Sequence, residues 1–182
     1  MSKIGSLLVL DDDADVLKAA TMALTPDARQ VDLISDPAGT MPMVRERSYD
    51  VLLLDMNFAL GEHQGHAGLN VLEEVQAFDP TLSVVLMTSY GRVSLAVETL
   101  KRGAVDFVLK PWRNAALIES LTIATSLSRS RRAERDNLSL ELAEKQMIER
   151  ALQRYGGNVS HAASALGLTR WALARRMAKH GL

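Results

Sequence analysis

At 182 residues with 47% hydrophobic side chains, the chain is long enough for one or two small domains with packed cores. It has no cysteine, which excludes a disulfide framework and a thiolate metal site and leads us to expect a reducing, cytoplasmic setting. The formal charge of −1 conceals an asymmetry: residues 129–182 carry 11 Lys and Arg against 5 Asp and Glu, leaving 10 against 17 in the rest. An acidic front joined to a basic tail predicts two jobs, the second involving a polyanion. The polar start and short apolar runs predict neither a signal peptide nor a membrane span.

Apolar runs predict strands at 6–10, 30–34, 51–54, 83–87 and 105–109. Helical spacing of three and four predicts helices at 15–25, 38–47, 69–78, 93–102 and 114–128, with Gly103 as a helix stop. Five β-α units in succession predict an α/β fold with a doubly wound parallel sheet. The connection from Met56 to Gly68 is long for a compact domain and leaves directly from Asp55. Its His63 and His66 fit a solvated loop better than a metal site, because four coherent ligands are missing.

A polar, Arg-rich stretch at 126–139 follows, either a flexible linker or a continuation of the preceding helix. An amphipathic helix is expected next, over 140–155 and ending at Gly156-Gly157, then shorter helices at 159–166 and 170–179. The expected division is 1–128, a 129–140 linker or helix extension, and 141–182.

Four landmarks fall at the C-terminal ends of predicted strands. They are Asp11-Asp12-Asp13 after LLVL, Asp55 after VLLL, Thr88 after SVVLM, and Lys110-Pro111 after DFVL. Open α/β sheets bind ligands at that edge, so carboxylates, a hydroxyl and an ammonium converge on one crevice. Carboxylate oxygens alone suit a hard cation such as Mg²⁺. A carboxylate can also accept a phosphoryl group, with metal and ammonium offsetting the charge on its oxygens. Asp13 and Asp15 fit the cap and first turn of a helix instead.

In this order the motifs over residues 4–128 resemble the receiver domain of two-component response regulators, the flavodoxin-like family of CheY and the amino-terminal domain of NtrC. The resemblance implies Asp55 as phospho-acceptor, and Asp11, Asp12, Asp55 and the Asn57 backbone carbonyl as Mg²⁺ ligands. It implies Thr88 as the hydroxyl that turns toward the phosphate, Phe107 as the aromatic coupled to that movement, and Lys110 as the lysine pairing with the phosphate. A cis bond before Pro111 and a sensor histidine kinase as partner are implied as well. The lengthened, His-containing loop after Asp55 departs from the family pattern.

The tail has helix-turn-helix spacing. Ala162, Ala163 and Leu166 supply a small apolar face, Gly167 the turn, Leu168 an anchor and Thr169 a cap. Leu173 and Met177 define the buried stripe of the last helix, which places Trp171, Arg175 and Lys179 nearly opposite and Arg170 and Arg176 at the flanks. Residues 141–182 resemble the Fis-type helix-turn-helix that ends NtrC-family regulators. The candidates for contact with double-stranded DNA are Thr169, Arg170, Trp171, Arg175, Arg176 and Lys179. In that family the first helix of the unit dimerises, here 141–155.

No GxxxxGK[ST] phosphate loop occurs, so action by occupying DNA rather than by ATP hydrolysis is expected. The expectation is a non-enzymatic, homodimeric transcriptional response regulator with Mg²⁺ as cofactor. The alternative is a phosphorelay adaptor whose C-terminal helices bind protein rather than DNA.

Overall fold

The structure is a computed structural model and describes residues 2–56, 66–89 and 99–182. Two compact units are present, Met1–Arg131 and Arg132–Leu182.

In the first unit, β1 (Ile4–Leu10), β2 (Ala28–Ile34), β3 (Val51–Asp55), β4 (Ser83–Ser89) and β5 (Asp106–Lys110) form one parallel sheet in the order β2-β1-β3-β4-β5. Parallel strands are buried on both faces, which is why β1, β3 and β4 carry the apolar runs LLVL, VLLL and VVLM. Side chains alternate between faces with a period of two. Leu8, Leu10, Leu52, Leu54, Val84 and Leu86 therefore join one core, with Leu72 and Val75 of α3 (His66–Phe78) and Val44 of α2 (Thr40–Glu46). Leu7, Val9, Leu53 and Val85 join the other, with Ala20 and Leu24 of α1 (Ala14–Leu24) and Leu117 and Leu121 of α4 (Asn114–Arg154).

Two boundaries differ from expectation, and the open choice at 126–139 is decided. The connection after β3 is shorter than Met56–Gly68, because α3 already begins at His66. Gly68 lies within that helix, and a Cβ there would meet the Asp55 carbonyl oxygen at 3.3 Å and Met56 Sδ at 3.1 Å. Glycine thus lets α3 pack closely against the end of β3. The helix expected at 38–47 is split into a 3-10 turn, Pro37–Gly39, and α2, since Asp36 caps Ala38 and Pro37 opens the turn. The stretch 126–139 is helical, part of α4, consistent with its lack of glycine and proline. Of the helix expected at 93–102, residues 99–101 are helical and 93–98 lie outside the described residues.

In the second unit, the C-terminal part of α4 packs with α5 (Val159–Ala165) and α6 (Arg170–His180). Ile148, Ala151, Ala162, Ala163 and Leu173 form the buried centre, flanked by Leu152, Leu166, Leu168 and Met177. Gly167, at φ +68, closes α5 in the left-handed conformation. The Leu168 N–H donates to Ala163 O at 2.8 Å and the Gly167 N–H to Ser164 O at 3.1 Å, which satisfies the last carbonyls of α5 and turns the chain into α6.

Candidate functional site

The sheet order reverses direction between β1 and β3, the topological switch point where α/β sheets hold ligands. Asp11 is the first residue past β1 and Asp55 the last of β3; each is at most 1% exposed. Asp12 faces solvent. Oxygens of Asp11, Asp12 and Asp55 all lie within 4.8 Å of one another.

Two strands away, β5 ends at Lys110, and the Lys110–Pro111 bond is cis. Its ammonium reaches back to Asp11 Oδ2 at 2.5 Å and to Asp55 Oδ1 at 2.9 Å. Burial works to lower the Lys110 pKa. The hydrogen bond to Asp11, then that to Asp55 and the two negative charges, outweigh burial and hold it above the ordinary lysine value. Asp11 Oδ1 also accepts from the Asp13 N–H at 3.0 Å. Asp13 itself caps α1, accepting from the Asp15 and Val16 N–H groups, and so turns away from the crevice.

Among the described residues, three carboxylates thus gather around the Lys110 ammonium. The crevice keeps an excess of negative charge behind one solvent-facing group, and its donors are hard oxygens in reach of a common point. The set fits a divalent cation of the Mg²⁺ class. Thr88, next to last in β4, is fully buried, and among the described residues its hydroxyl makes a long 3.5 Å contact with Ser89 O. Phe107 is half-buried on β5 and borders a groove of about 600 Å³ with Trp112, Arg113 and Ile123. Asn57 and His63 lie outside the described residues, as does the side chain of His66.

On the second unit, Thr169 caps α6 by accepting from the Ala172 N–H at 3.2 Å, so its hydroxyl is engaged. Arg170, Trp171, Arg175 and Lys179 are exposed, and Arg176 is half-buried. Two of these cations have acidic partners on α4: Arg176 Nε lies 2.8 Å from Glu144 Oε1, and Lys179 Nζ 3.0 Å from Glu141 Oε1. His180 Nε2 pairs with Glu144 Oε2 at 2.9 Å. The hydrogen bond from His180, aided by the charges of Arg176, His180 and Lys179, holds the Glu144 carboxyl below its ordinary value against a smaller opposing effect of burial.

The absence of acid from 156 to 182 hides this pairing in sequence. The signal was available nonetheless. Glu144 is four residues before buried Ile148 and Glu141 seven before it, which puts both on the stripe of α4 facing α6.

Residues 7–122 match the response regulator receiver domain family, and residues 139–180 match the Fis family of bacterial regulatory proteins. The chain belongs to the response regulator receiver family. Only residues 123–138 separate the receiver match from the Fis-family match. The transcriptional regulatory protein ZraR of Klebsiella oxytoca is 32% identical over 128 residues, 70% of this chain and 27% of that protein. Response regulator protein FleR of Pseudomonas aeruginosa is 27% identical over 146 residues, 80% of this chain and 30% of that one. The chain therefore spans under a third of the length of these relatives.

Among solved structures, the N-terminal signal receiver domain of a response regulator from Bacteroides fragilis is 38% identical with a TM-score of 0.61, covering 67% of this chain and 97% of that one. NtrX from Brucella abortus, in complex with ADP, is 26% identical with a TM-score of 0.64, covering 75% and 29%. Among the described residues no helix of this response regulator is long and apolar enough to cross a membrane.

Proposed function

We propose that this chain is a DNA-binding transcriptional response regulator of a two-component phosphorelay, phosphorylated on Asp55 by a sensor histidine kinase and acting as a cytoplasmic homodimer. The observation that carries the proposal is the Lys110 ammonium set between Asp11 and Asp55 at the switch point, in a chain that also carries a Fis-type helix-turn-helix.

In the phosphoryl transfer, an Asp55 carboxylate oxygen forms a bond to phosphorus while the phosphorus–nitrogen bond of a phosphohistidine breaks. The released imidazole takes up a proton, and an acyl phosphate remains on Asp55. Asp11, Asp12, Asp55 and the Asn57 backbone carbonyl are the proposed holders of Mg²⁺, which neutralises the phosphoryl oxygens when bound. Lys110 already carries its positive charge beside Asp55 and exchanges a carboxylate for phosphoryl oxygen. The long hydroxyl contact of Thr88 costs little to give up, so this side chain turns toward the phosphate.

Movement of Thr88 and of the Phe107 ring changes the surface that contains β5 and the start of α4. That surface then favours a dimer, which presents two α6 helices to half-sites about one DNA turn apart. Thr169, Arg170, Trp171, Arg175, Arg176 and Lys179 form the proposed DNA-contacting set, in which Arg176 and Lys179 exchange Glu144 and Glu141 for DNA phosphate.

Gel shifts on a pool of fragments from the source genome test this, with acetyl phosphate and Mg²⁺ as phosphodonor. Tighter binding of a subset by the phosphorylated wild type, absent in Asp55→Asn, is expected. No retained fragment in either state, with a protein captured instead, would establish the adaptor alternative.

A further inference from the structure

The exposed side of α6 is mostly apolar where it is free to face DNA. Trp171 is 80% exposed. Trp171, Ala174, Arg175 and Ala178 follow one another at i, i+3, i+4 and i+7, so they form one row along the helix, and all four are exposed. The inner side holds Leu173, fully buried, with Met177, Arg176 and His180 half-buried.

The cations of this helix are not equivalent. Arg176 and Lys179 are held by Glu144 and Glu141. Among the described residues, Arg170 and Arg175 have no ion-pair partner. The Thr169 hydroxyl is occupied by the α6 cap. What remains to meet a base-pair edge is an indole, two alanine methyls and two guanidinium groups at the margins of the row.

Each base presents different chemistry in the major groove. Thymine alone among the four standard bases carries a methyl group there, while guanine offers the paired acceptors that a guanidinium matches. An indole and methyls pressed against the amino group of cytosine or adenine would desolvate it without supplying an acceptor. Against a thymine methyl they bury apolar surface on both sides.

We infer that α6 reads duplex DNA through thymine methyls lying under Trp171 and Ala174, with guanine beside them contacted by Arg170 or Arg175, and that Trp171 is a specificity-determining residue. This rests on the DNA-binding reading above and adds to it the chemical class of sequence recognised.

The test uses the full chain with acetyl phosphate and Mg²⁺. Duplexes are enriched from a random-sequence library, and the winning duplex is resynthesised with deoxyuridine for thymidine, which removes the methyls and keeps every hydrogen-bonding group. For the wild type, each thymine methyl lost from the contacted edge is expected to weaken binding about fourfold, the factor for withdrawing one buried methyl from contact. Trp171→Ala, whose exposed position leaves the fold intact, is expected to bind the thymidine duplex more weakly and to bind both duplexes within a factor of about two.

Equal binding of the two duplexes by the wild type overturns the inference and leaves the DNA-binding reading standing. So does a Trp171→Ala variant that keeps the full thymidine preference, or one whose DNA binding is unchanged, which would mark Trp171 as an anchor for a protein. Failure to enrich any duplex overturns both.

Discussion

The Lys110 ammonium lies 2.9 Å from Asp55 Oδ1, reaching past the intervening β4 to the end of β3. The same nitrogen donates to Asp11, 99 residues away in the chain. One cation therefore ties the ends of β1, β3 and β5 together before any phosphate arrives. In the proposed function the same ammonium pairs with the phosphoryl group on Asp55.

Lys110→Met tests the tie. Removing the ammonium leaves Asp11 and Asp55 almost fully buried with their shared positive partner gone, and a buried charge stripped of its partner costs several kcal/mol. Lys110 keeps some contact with solvent, which softens the penalty to about 2 kcal/mol. Urea unfolding of the first unit, followed by far-UV circular dichroism, measures it. An unchanged midpoint would show that the pair contributes nothing net.

Mg²⁺ is expected to stabilise the first unit, because the proposed carboxylate site exists in the folded chain and not in the unfolded one. At ten times Kd the gain is about 1.4 kcal/mol, read as a higher thermal midpoint that EDTA reverses. Asp12 is exposed, so Asp12→Ala folds normally and is expected to lose most of this response. A full response in that variant would place the cation elsewhere.

Asp32 supplies a pH dependence away from the crevice. Burial works to raise its pKa, but hydrogen bonds from Tyr49, Gln30 and Arg47 and the Arg47 charge together hold it below the ordinary carboxylate value. A depressed carboxylate contributes stability above the unfolded-state pKa and loses it as pH falls through the folded-state value. The Tyr49 hydroxyl donates at 2.6 Å. Tyr49→Phe is expected to cost about 1 kcal/mol at pH 7, a difference that narrows toward pH 3. A difference that is constant between those two pH values would contradict the assignment.

Leu173 is fully buried in the small core of the second unit. Leu173→Ala is expected to destabilise that unit by roughly 3 kcal/mol, with alanine neighbours leaving little scope for repacking. Gel shifts are expected to show lost DNA binding while acetyl phosphate still labels the protein. Loss of both activities together would count against separate roles for the two units.

Glu141→Gln tests the restraint on α6. It removes the partner of Lys179 and leaves that ammonium available for DNA phosphate. The log–log dependence of DNA affinity on salt is expected to steepen by about one unit of slope for each chain making the contact. An identical slope would mean that Lys179 makes no phosphate contact.

Much of the fold was legible because its signals are local. The apolar runs of β1, β3 and β4 needed only their own composition, and the motifs at the strand ends preserved the order of the crevice. Gly167, Leu168 and Thr169 announced their turn through residue chemistry alone. What escaped was pairing between segments. The early start of α3 depends on Gly68 fitting against the Asp55 carbonyl, a contact without a sequence signature of its own. The helical state of 126–139 is one of the two readings that its polar composition leaves open, and continuity with α4 decides between them. In sequence Glu141 and Glu144 read as charges of the tail; their spacing from Ile148 puts them on the stripe facing α6, and the packing of α4 on α6 pairs them with Lys179 and Arg176.

Asp55 is the proposed acceptor of the phosphoryl group. Incubation of the wild type and Asp55→Asn with radiolabelled acetyl phosphate and Mg²⁺, followed by treatment with hydroxylamine, measures it most directly. Near one-to-one labelling of the wild type, loss of that label to hydroxylamine as an acyl phosphate requires, and no label on Asp55→Asn are expected. Undiminished labelling of Asp55→Asn would contradict it.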